Sequence, residues 1–590
     1  MLLLSLTCFT IVFGRQNIIK VSTQAQFENC INLINKGEEL CLDLSSGEYI
    51  INKGITAKSP LKILGHDSYI TAANDTYSVK NAIRETKHHY ICKIKSPINV
   101  FSLFLNETDK IIPVSEFVNK KTLVNYCQSI EGPYSSEGGT EIKIPLSGEL
   151  GSIRNKHFFK AYGYFDCGWT EVNFTVDKSD SNHIFCKTIT SCNTGNYNYE
   201  KRTYKNEIRF VLFNVEPQEG HVYFDNKHIY IPKGIKELTV LNNDLSGRKR
   251  SMAINSDLTI EGVVFKNFYG IGIYSNAGSV CLIRDCRFKN TLSYALKIYR
   301  YGRQENKPSE ITRCQFENCS LFADNIIDID GAKTGKPKVV ITNCSFKRYD
   351  DAPLMYKNCT GALKVSTDAN IMGCSIFNTP RCHLYINGGK VVISSNALYN
   401  TKIFNSYKER NLSSDLGLIY VNHFTKDKQT AINNTSNSVR IENNMLYGAY
   451  AYGRDARGVF IDNGRGDVIC INNLIFDCQL YSIDSRDAKS LVKTSSIRNR
   501  VENNMLANRY RLASGVGLSQ EHRPNSSGNI MLTGERNVLS GVNCLDPDIV
   551  VMQNFYTEQK GDMIRLPSAV RRQIEKYRPY KKIRDRFILK

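Results

Sequence analysis

The residues best suited to acid–base chemistry are two aspartates, Asp462 and Asp484, which lie 22 residues apart. Each follows an isoleucine in a short alternating segment. If these segments are neighbouring parallel strands, the carboxylates are about 4.8 Å apart, and one pKa must rise. An acid beside an anion is what glycoside hydrolysis requires, and a spacing of about 5 Å is typical of the retaining mechanism. We predict one nucleophile and one general acid/base, without assigning the two roles.

Other readings of these aspartates stay open. Asp462 begins an Asp-Asn-Gly sequence, which is turn chemistry in its own right. A carboxylate pair could also bind a metal ion such as calcium. Asp415 is a third catalytic candidate, although it precedes the segment that would form its strand.

Polar and aromatic residues occur in earlier alternating segments, at or near the places that Asp462 and Asp484 have in theirs. Tyr420, Asn422 and Asn387 are predicted to bind substrate, because tyrosine rings and side-chain amides suit the apolar faces and hydroxyl groups of sugars. His423 is either a base or an ordinary surface histidine.

Arginines cluster around the same part of the sequence, at Arg454, Arg457, Arg465 and Arg486. Arginine can hold a carboxylate or sulfate in a bidentate grip. We therefore predict that Arg457, Arg465 and Arg486 bind an anionic part of the substrate. The alternative is that they are solvated on the protein surface.

These residues must be positioned by a repeat, which is the strongest pattern in the sequence. A motif of the type Ile-x-x-Cys-x-Phe recurs along the chain, and in its later copies asparagine replaces the cysteine. Its central residues are Cys286, Cys314, Cys344, Cys374, Asn396, Asn444, Asn473 and Asn504. The spacing and the short alternating segments predict a coil of parallel strands. The four cysteines are predicted to be buried free thiols rather than vertical disulfides. The step of 48 residues before Asn444 is either two coils or one coil with a long loop.

The repeat also predicts which residues share an exterior column of the coil. One predicted column contains Tyr274, Tyr299, Asp330, Lys357, Asn387, Asn422, Asp462 and Asp484. A neighbouring column contains Asp328, Tyr385, Tyr420, Phe460 and Ser482. Tyrosines, amides and carboxylates on one face suggest a groove for sugars.

The other segments complete the predicted organisation. Residues 1–14 are mostly apolar and small, which predicts a signal peptide and a secreted, periplasmic or cell-surface protein. Residues 15–95 are predicted to contain a cap helix and the first coils, and residues 96–235 an inserted all-β domain of sandwich or barrel type. Residues 236–545 form the main β-helix, and residues 546–590 a basic tail.

The layout resembles that of the right-handed parallel β-helix glycoside hydrolases with an inserted β domain, of the β-xylosidase and α-L-fucosidase type. The resemblance rests on Gly220-His-Val-Tyr-Phe-Asp225, Ile229-Tyr-Ile-Pro232 and Arg457-Gly-Val-Phe-Ile-Asp462-Asn-Gly464. The sequence departs from the family phrase at Val222, where the family has tryptophan. The resemblance implies an all-β fold and a polysaccharide substrate. A β-helix polysaccharide lyase is the second resemblance.

Three functions therefore remain open. The first is a retaining glycoside hydrolase without a cofactor, and the net charge of +20 favours an acidic polysaccharide. The second is a lyase with Arg486, Arg465 or Lys357 as base and calcium bound by the aspartates. The third is a non-catalytic glycan-binding or adhesive protein. Without a recognisable binding motif, an exported chain is not expected to bind nucleic acid. Neither a membrane-spanning segment nor a structural zinc site is predicted, and the oligomeric state is open.

Overall fold

The fold was analysed in a computed structural model. The structure describes residues 12–13, 16–98, 102–117, 125–127, 141–145, 160–165, 170–179, 183–191, 208–241, 250–276, 278–301, 307–321, 325–334, 336–347, 361–379, 382–400, 416–422, 438–452, 456–462, 467–476, 479–481, 492–494, 500–502, 505–508, 516–518, 525–527, 530–533, 551–552, 558–560 and 563–565. Most of the predicted signal peptide and most of the basic tail lie outside these residues.

A single α-helix in the described residues, Gln24–Lys36, precedes the first coil, as the sequence predicted. Thr23 and Gln26 form a capping box at its start, and Gly37 ends it in the left-handed conformation at φ 100°. The buried face of the helix, which includes Phe27 and Ile31, packs into the same apolar core as the first strands. A short 3₁₀ helix follows at Val79–Asn81.

The largest sheet in the described residues has 25 strands and is parallel except for its first pair. Its strands are Val12–Phe13, Gln16–Val21, Leu40–Leu44, Gly47–Ile51, Leu61–Ala72, Leu258–Phe268, Cys281–Arg284, Arg287–Thr291, Ser309–Thr312, Gln315–Glu317, Val339–Thr342, Ser345–Lys347, Ala369–Met372, Ser375–Phe377, Lys390–Ser394, Ala397–Tyr399, Ser438–Glu442, Met445–Tyr447, Asp467–Ile471, Leu474–Phe476, Arg500–Glu502, Met505–Asn508, Asn525–Ser527, Ile530–Thr533 and Val551–Met552. The long strands Leu61–Ala72 and Leu258–Phe268 join its two ladders.

A second, eleven-stranded parallel sheet completes each coil. Its strands are Ile55–Ala57, Arg250–Ile254, Ile271–Ser275, Leu296–Arg300, Asn325–Gly331, Gly361–Ser366, Cys382–Ile386, Leu416–Asn422, Ala456–Asp462, Val492–Thr494 and Val516–Leu518. Equivalent apolar residues of successive coils lie opposite one another, such as Ile283, Ile311 and Ile341. The chain is a right-handed parallel β-helix, as predicted, and its stacked apolar residues form one continuous core.

The predicted cysteine ladder lies inside this core. Cys286, Cys314, Cys344 and Cys374 are free and buried. The Cys314 thiol donates to the carbonyl oxygen of Ile283 in the preceding coil at 3.5 Å. Burial raises the pKa of the Cys344 thiol well above its usual range. The prediction of buried free thiols is therefore confirmed.

The asparagines that replace these cysteines form a hydrogen-bonded stack. The Asn396 side-chain amide donates to Oδ1 of Asn444 at 3.0 Å, and Asn444 donates in the same way to Asn473 at 2.9 Å. Oδ1 of Asn444 also accepts the backbone N–H of Asn396 at 2.9 Å. Val391 lies directly opposite Val439, so the step of 48 residues spans one coil rather than two.

The residue before each ladder position makes the bend possible. Its φ is positive, for example 52° at Asp285, 55° at Asn343 and 55° at Asn443. Asparagine, aspartate and glycine tolerate this conformation best and occupy most of these bends, whereas Arg313 and Ser395 adopt it at the other two described bends. Inside the next strand, Phe265, Phe288, Phe316 and Phe346 stack with ring centroids 4.7–5.0 Å apart.

Antiparallel sheets lie between the first coils and the main coil, in the part of the sequence where the repeat is absent. A seven-stranded sheet contains Glu116–Phe117, Asn125–Cys127, Glu141–Pro145, Lys160–Phe165, Thr170–Ser179, His183–Ser191 and Ile208–Phe213. Two four-stranded sheets contain Asp75–Ser78, Leu103–Asn106, Ile111–Ile112 and Glu237–Leu241, and Arg84–Glu85, His89–Lys93, Tyr223–Phe224 and His228–Pro232. Later in the chain, Tyr450–Tyr452 pairs in parallel with Gln479–Tyr481, and Glu558–Lys560 pairs in antiparallel fashion with Met563–Arg565. The exact boundaries of the inserted domain stay a prediction.

Hydrogen bonds and an ion pair connect the four-stranded sheet that contains Leu103–Asn106 to the coil. The Asp109 carboxylate accepts from the Asn267 amide at 2.8 Å and lies 3.2 Å from the Lys266 ammonium group. The Asn290 amide donates to the backbone oxygen of Asp109 at 3.0 Å. Leu103 and Leu105 pack beside Leu292, so apolar contact accompanies the hydrogen bonds.

We expect Asn444→Ala to destabilise the coil by about 3 kcal/mol, because it leaves buried donors of Asn396 without an acceptor. The measurement is the shift of the urea unfolding midpoint. Asn52→Ala, at an exposed asparagine, is the matched control. Equal shifts in the two variants would contradict a stabilising ladder.

His383 gives the fold a predictable pH dependence. It is fully buried, its Nε2 lies 3.2 Å from the carbonyl oxygen of Tyr399, and burial lowers its pKa to about 3. Because the unfolded state takes up a proton below about pH 6.5 while the folded state does not, stability should fall by about 1.4 kcal/mol per pH unit from there toward pH 3.

The comparison is between wild type and His383→Gln, each unfolded in urea at pH 7.5 and pH 5. The variant should lose less stability on acidification. His66→Gln, at an exposed histidine, should keep the wild-type slope. If wild type and His383→Gln lose the same unfolding free energy between pH 7.5 and pH 5, His383 does not cause the loss of stability at low pH.

Candidate functional site

The outer face of the eleven-stranded sheet carries the candidate site. Side chains alternate along each strand, so Leu296, Ile327 and Leu363 enter the core, where all three are fully buried. The residues after them point outward. The sheet therefore presents polar side chains at a regular spacing, one from each coil.

Five of these outward residues form a column, which we call the central column. Tyr274 lies opposite Lys297, Lys297 opposite Asp328, Asp328 opposite Lys364, and Lys364 opposite Tyr385. The column is symmetric in residue type about Asp328. A lysine lies one coil away on each side, and a tyrosine lies two coils away on each side.

Asp328 is held between the two lysines. Its carboxylate lies 3.4 Å from the ammonium group of Lys297 and 3.8 Å from that of Lys364. The Asp328 side chain is only 7% exposed, whereas those of Lys297 and Lys364 are 20% and 34% exposed. Burial alone would lower the pKa of Lys297, but the Asp328 charge and contact with Tyr299 raise it. The buried carboxylate is thus compensated by two cations.

A second carboxylate, Asp330, lies two residues further along the same strand. It accepts from the Tyr301 hydroxyl at 2.6 Å and from the backbone N–H of Gly331 at 2.9 Å. Burial, with the hydrogen bond to Asp330, raises the pKa of Tyr301 to about 12. Because the strand rises about 3.3 Å per residue, the two carboxylates project from backbone positions about 6.6 Å apart.

Tyrosines surround the lysine on one side of this pair. The rings of Tyr274 and Tyr299 have centroids 5.5 Å apart. The Lys297 ammonium group lies 4.8 Å from the ring centroid of Tyr294 and 5.5 Å from that of Tyr299. Tyr301 is 45% exposed. Aromatic rings therefore lie around Lys297 and beside Asp330.

Beyond Tyr385 the outer face is covered. Tyr420 stacks on Tyr385 with ring centroids 5.6 Å apart, and Phe460 packs edge-on against Tyr420 at 4.9 Å. Tyr420 is 6% exposed and Phe460 is 1% exposed, and both pack with Cys382. The side chain of Tyr420, predicted to bind substrate, is packed in this aromatic cluster.

Other predicted binding residues are placed as follows. Asn422 is partly buried and donates to the Tyr385 hydroxyl at 3.3 Å. Asn387 is partly buried just after the strand Cys382–Ile386, and its backbone N–H donates to Val365. Arg457 lies opposite Gly417 and is only 3% exposed, so it is not a solvated surface arginine.

The predicted aspartate pair does not have the expected register. Asp462 lies opposite Asn422, as predicted, but the next strand in the sheet is Val492–Thr494, with Lys493 opposite Phe460. The strand Val492–Thr494, rather than the segment Ile483-Asp484, therefore pairs with Ala456–Asp462, and the catalytic role of the aspartate pair stays a prediction. Asp484 lies outside the described residues, as do Asp415, His423, Arg465 and Arg486.

Two other column assignments are corrected by the register. Tyr274 lies opposite Lys297 rather than Tyr299. The residue opposite Asp330 in the next coil is Ser366 rather than Lys357, which lies outside the described residues. In the first case the assumed register was displaced by two residues, which keeps the face while changing the column, and in the second case a later strand, Gly361–Ser366, is the partner.

The sequence reasoning placed Asp328 and Asp330 in exterior columns but did not propose them as a site. The available signal was Asp-Ile-Asp at alternating positions of one strand, followed by Gly331. Among the residues that the structure describes, no group of three His, Cys, Asp or Glu side chains could hold a metal ion. In the same part of the chain, no helix is long and apolar enough to cross a membrane.

Comparisons with known proteins agree with the architecture. The family model described as right-handed beta helix region matches residues 251–412. A solved structure described as a glycoside hydrolase is 10% identical, covers 86% of this chain and 91% of its own chain, and has a TM-score of 0.52. The complex of XylC with xylose is 11% identical, with coverages of 90% and 85% and a TM-score of 0.43.

The catalytic domain of a GH87 alpha-1,3-glucanase in complex with nigerose is 9% identical, covers 78% of this chain and 99% of its own, and has a TM-score of 0.22. No curated protein matches the chain. At these identities the likeness shows the fold alone, and it rests on the structure described as a glycoside hydrolase, whose TM-score is above 0.5.

The lysine–aspartate contacts can be tested without an assumption about function. Asp328→Asn removes the charge that raises the Lys297 pKa and leaves burial, which lowers it. At pH 8 we expect faster acylation of Lys297 by an amine-reactive ester, about tenfold for each unit by which the pKa falls. Peptide mass spectrometry gives the rate.

Asp285→Asn is the matched control, because Asp285 binds Arg313 on the 25-stranded sheet instead. An unchanged Lys297 acylation rate in Asp328→Asn would contradict the arrangement described above.

Proposed function

We propose that this protein is a carbohydrate-active enzyme, most specifically a glycoside hydrolase, with Asp328 and Asp330 as its pair of carboxyl groups. The observation that carries the proposal is their position on one face of one strand, between lysines and tyrosines. Two carboxyl groups flanking a sugar bond are the usual requirement for glycoside hydrolysis. The apolar N-terminal segment supports export, which is part of the proposal.

The two carboxyl groups differ in environment, which suggests different roles. Asp328 is nearly buried between two ammonium groups, which compensate its charge and suit the carboxylate that orients a water molecule. Asp330 is more accessible and is oriented by the Tyr301 hydroxyl, which suits transfer of a proton to the leaving oxygen. In this scheme the Asp328 carboxylate accepts a proton from a water molecule whose oxygen bonds to the anomeric carbon, the glycosidic bond breaks, and the leaving oxygen receives a proton from the Asp330 carboxyl group.

The spacing favours inversion of the anomeric centre. The backbone positions of Asp328 and Asp330 are about 6.6 Å apart, and two parallel side chains at that separation fit the carboxyl spacing of inverting enzymes, about 6.5–9.5 Å, better than the retaining spacing of about 5–5.5 Å. The proposal therefore replaces the retaining mechanism that we expected for Asp462 and Asp484. A lyase is disfavoured at this site, because Lys297 has a raised pKa and a catalytic lysine base needs a lowered one.

The test begins with a panel of neutral, uronate-containing and sulfated glycans, with release of reducing ends as the readout. The overall charge of +20 makes the acidic glycans the first to examine. We expect Asp328→Asn and Asp330→Asn each to lower kcat by at least about a hundredfold, because each removes a group that transfers or accepts a proton. Asp285→Asn should retain wild-type activity.

Asp462→Asn and Asp484→Asn are compared in the same assay, since they test the competing pair. Proton NMR of the first product should show the inverted anomer. Full activity in Asp328→Asn and Asp330→Asn would refute the proposed pair. Formation of an ultraviolet-absorbing unsaturated product would instead indicate a lyase, and binding without cleavage would indicate an adhesive protein.

A further inference from the structure

The central column has a length and a symmetry that bear on the size of the substrate. Tyr274 and Tyr385 are each two coils from Asp328, in opposite directions along the axis. Neighbouring coils are about 4.8 Å apart, so the two tyrosines are separated by about 19 Å. The carboxylate pair lies midway between them rather than at one end.

Burial indicates where the open part of the column ends. Tyr274, Lys297, Lys364 and Tyr385 are all partly exposed, and Asp328, between the two lysines, is itself only 6% exposed. The next residue beyond Tyr385 is Tyr420, which is 6% exposed and packed against Phe460. In the other direction, the residue opposite Tyr274 is Ala253, whose side chain offers little contact surface. The accessible polar and aromatic column is therefore bounded by the two tyrosines.

The chemistry of this column fits a chain of sugars lying along the coil axis. Tyrosine has an apolar ring for the carbon face of a sugar and a hydroxyl group for hydrogen bonding. One coil spacing is close to the length of one sugar residue in an extended glycan, so the column matches about four residues. A bond placed over Asp328 and Asp330 then has sugars on both sides.

We propose that the substrate is an oligosaccharide or polysaccharide that is cut at an internal bond, with Tyr274 and Tyr385 as the outermost contacts on the two sides. This inference rests on the proposed function. It adds the mode of attack: a site at the end of a pocket would release single sugars from a chain end, whereas a carboxylate pair at the middle of an open column cuts within the chain.

The experiment uses oligosaccharides of two to six residues from whichever glycan wild-type protein cleaves in the panel. We expect the first products of the hexasaccharide to be shorter oligosaccharides, and kcat/KM to rise with length up to about four residues. Tyr274→Ala and Tyr385→Ala should each lower the ratio of kcat/KM for tetrasaccharide to that for disaccharide by about two- to tenfold.

Tyr69→Ala is the matched control, because Tyr69 is an exposed tyrosine on the 25-stranded sheet, and it should leave this ratio unchanged. Since Tyr385 packs on Tyr420, Tyr385→Leu is included as a variant that keeps apolar volume. Binding of the same oligosaccharides to inactive Asp330→Asn gives a second readout, in which affinity should rise up to about four residues.

The outcomes separate the two proposals. Release of single sugars from a chain end, with no dependence on length, would overturn the internal cut while leaving a glycoside hydrolase in place. Length dependence that both tyrosine variants retain would overturn the role of the tyrosines. If wild-type protein cleaves none of the glycans in the panel and Asp330→Asn binds none of them, the proposed function itself is overturned.

Discussion

Everything in this protein depends on the hydrogen bonding of each coil to the next in parallel register. Because each strand is paired on both sides, every side chain has an equivalent one coil above and one below. Inside, this repetition stacks isoleucines and phenylalanines, as in the series Phe265, Phe288 and Phe316. Outside, the same repetition aligns polar groups such as Lys297 and Asp328. One constraint thus generates both the core and the site.

The register also limits which residues the bends can contain. A turn between consecutive strands needs a residue with positive φ, followed by a small side chain that fits inside the coil. Cysteine satisfies the second requirement by burying a compact thiol. Asparagine satisfies it by hydrogen bonding to the asparagine of the next coil, as Asn444 does with Asn473. The ladder therefore stabilises the stack and helps to fix the register of the neighbouring strands.

The candidate site uses the same geometry differently. In the core, stacking brings like residues together, but on the outer face it alternates charge, so that Asp328 lies between Lys297 and Lys364. Alternation lets a carboxylate be nearly buried without an uncompensated charge. Where the face becomes aromatic, at Tyr420 and Phe460, it closes into a packed cluster. Charge and burial together therefore distinguish the open part of this face from the closed part.

The sequence by itself determined the coil, its Cys/Asn ladder and the capped helix, because these follow from local spacing and bend chemistry. It also identified the outward face that contains Asp328 and Asp330. Only the tertiary structure decided which strand pairs with which. The strand Ala456–Asp462 pairs with Val492–Thr494, which is a longer coil than the spacing of 22 residues suggested, and side-chain alternation does not reveal which later strand is the partner. For that physical reason the sequence favoured Asp462 with Asp484, whereas the register brought Asp328 between two lysines.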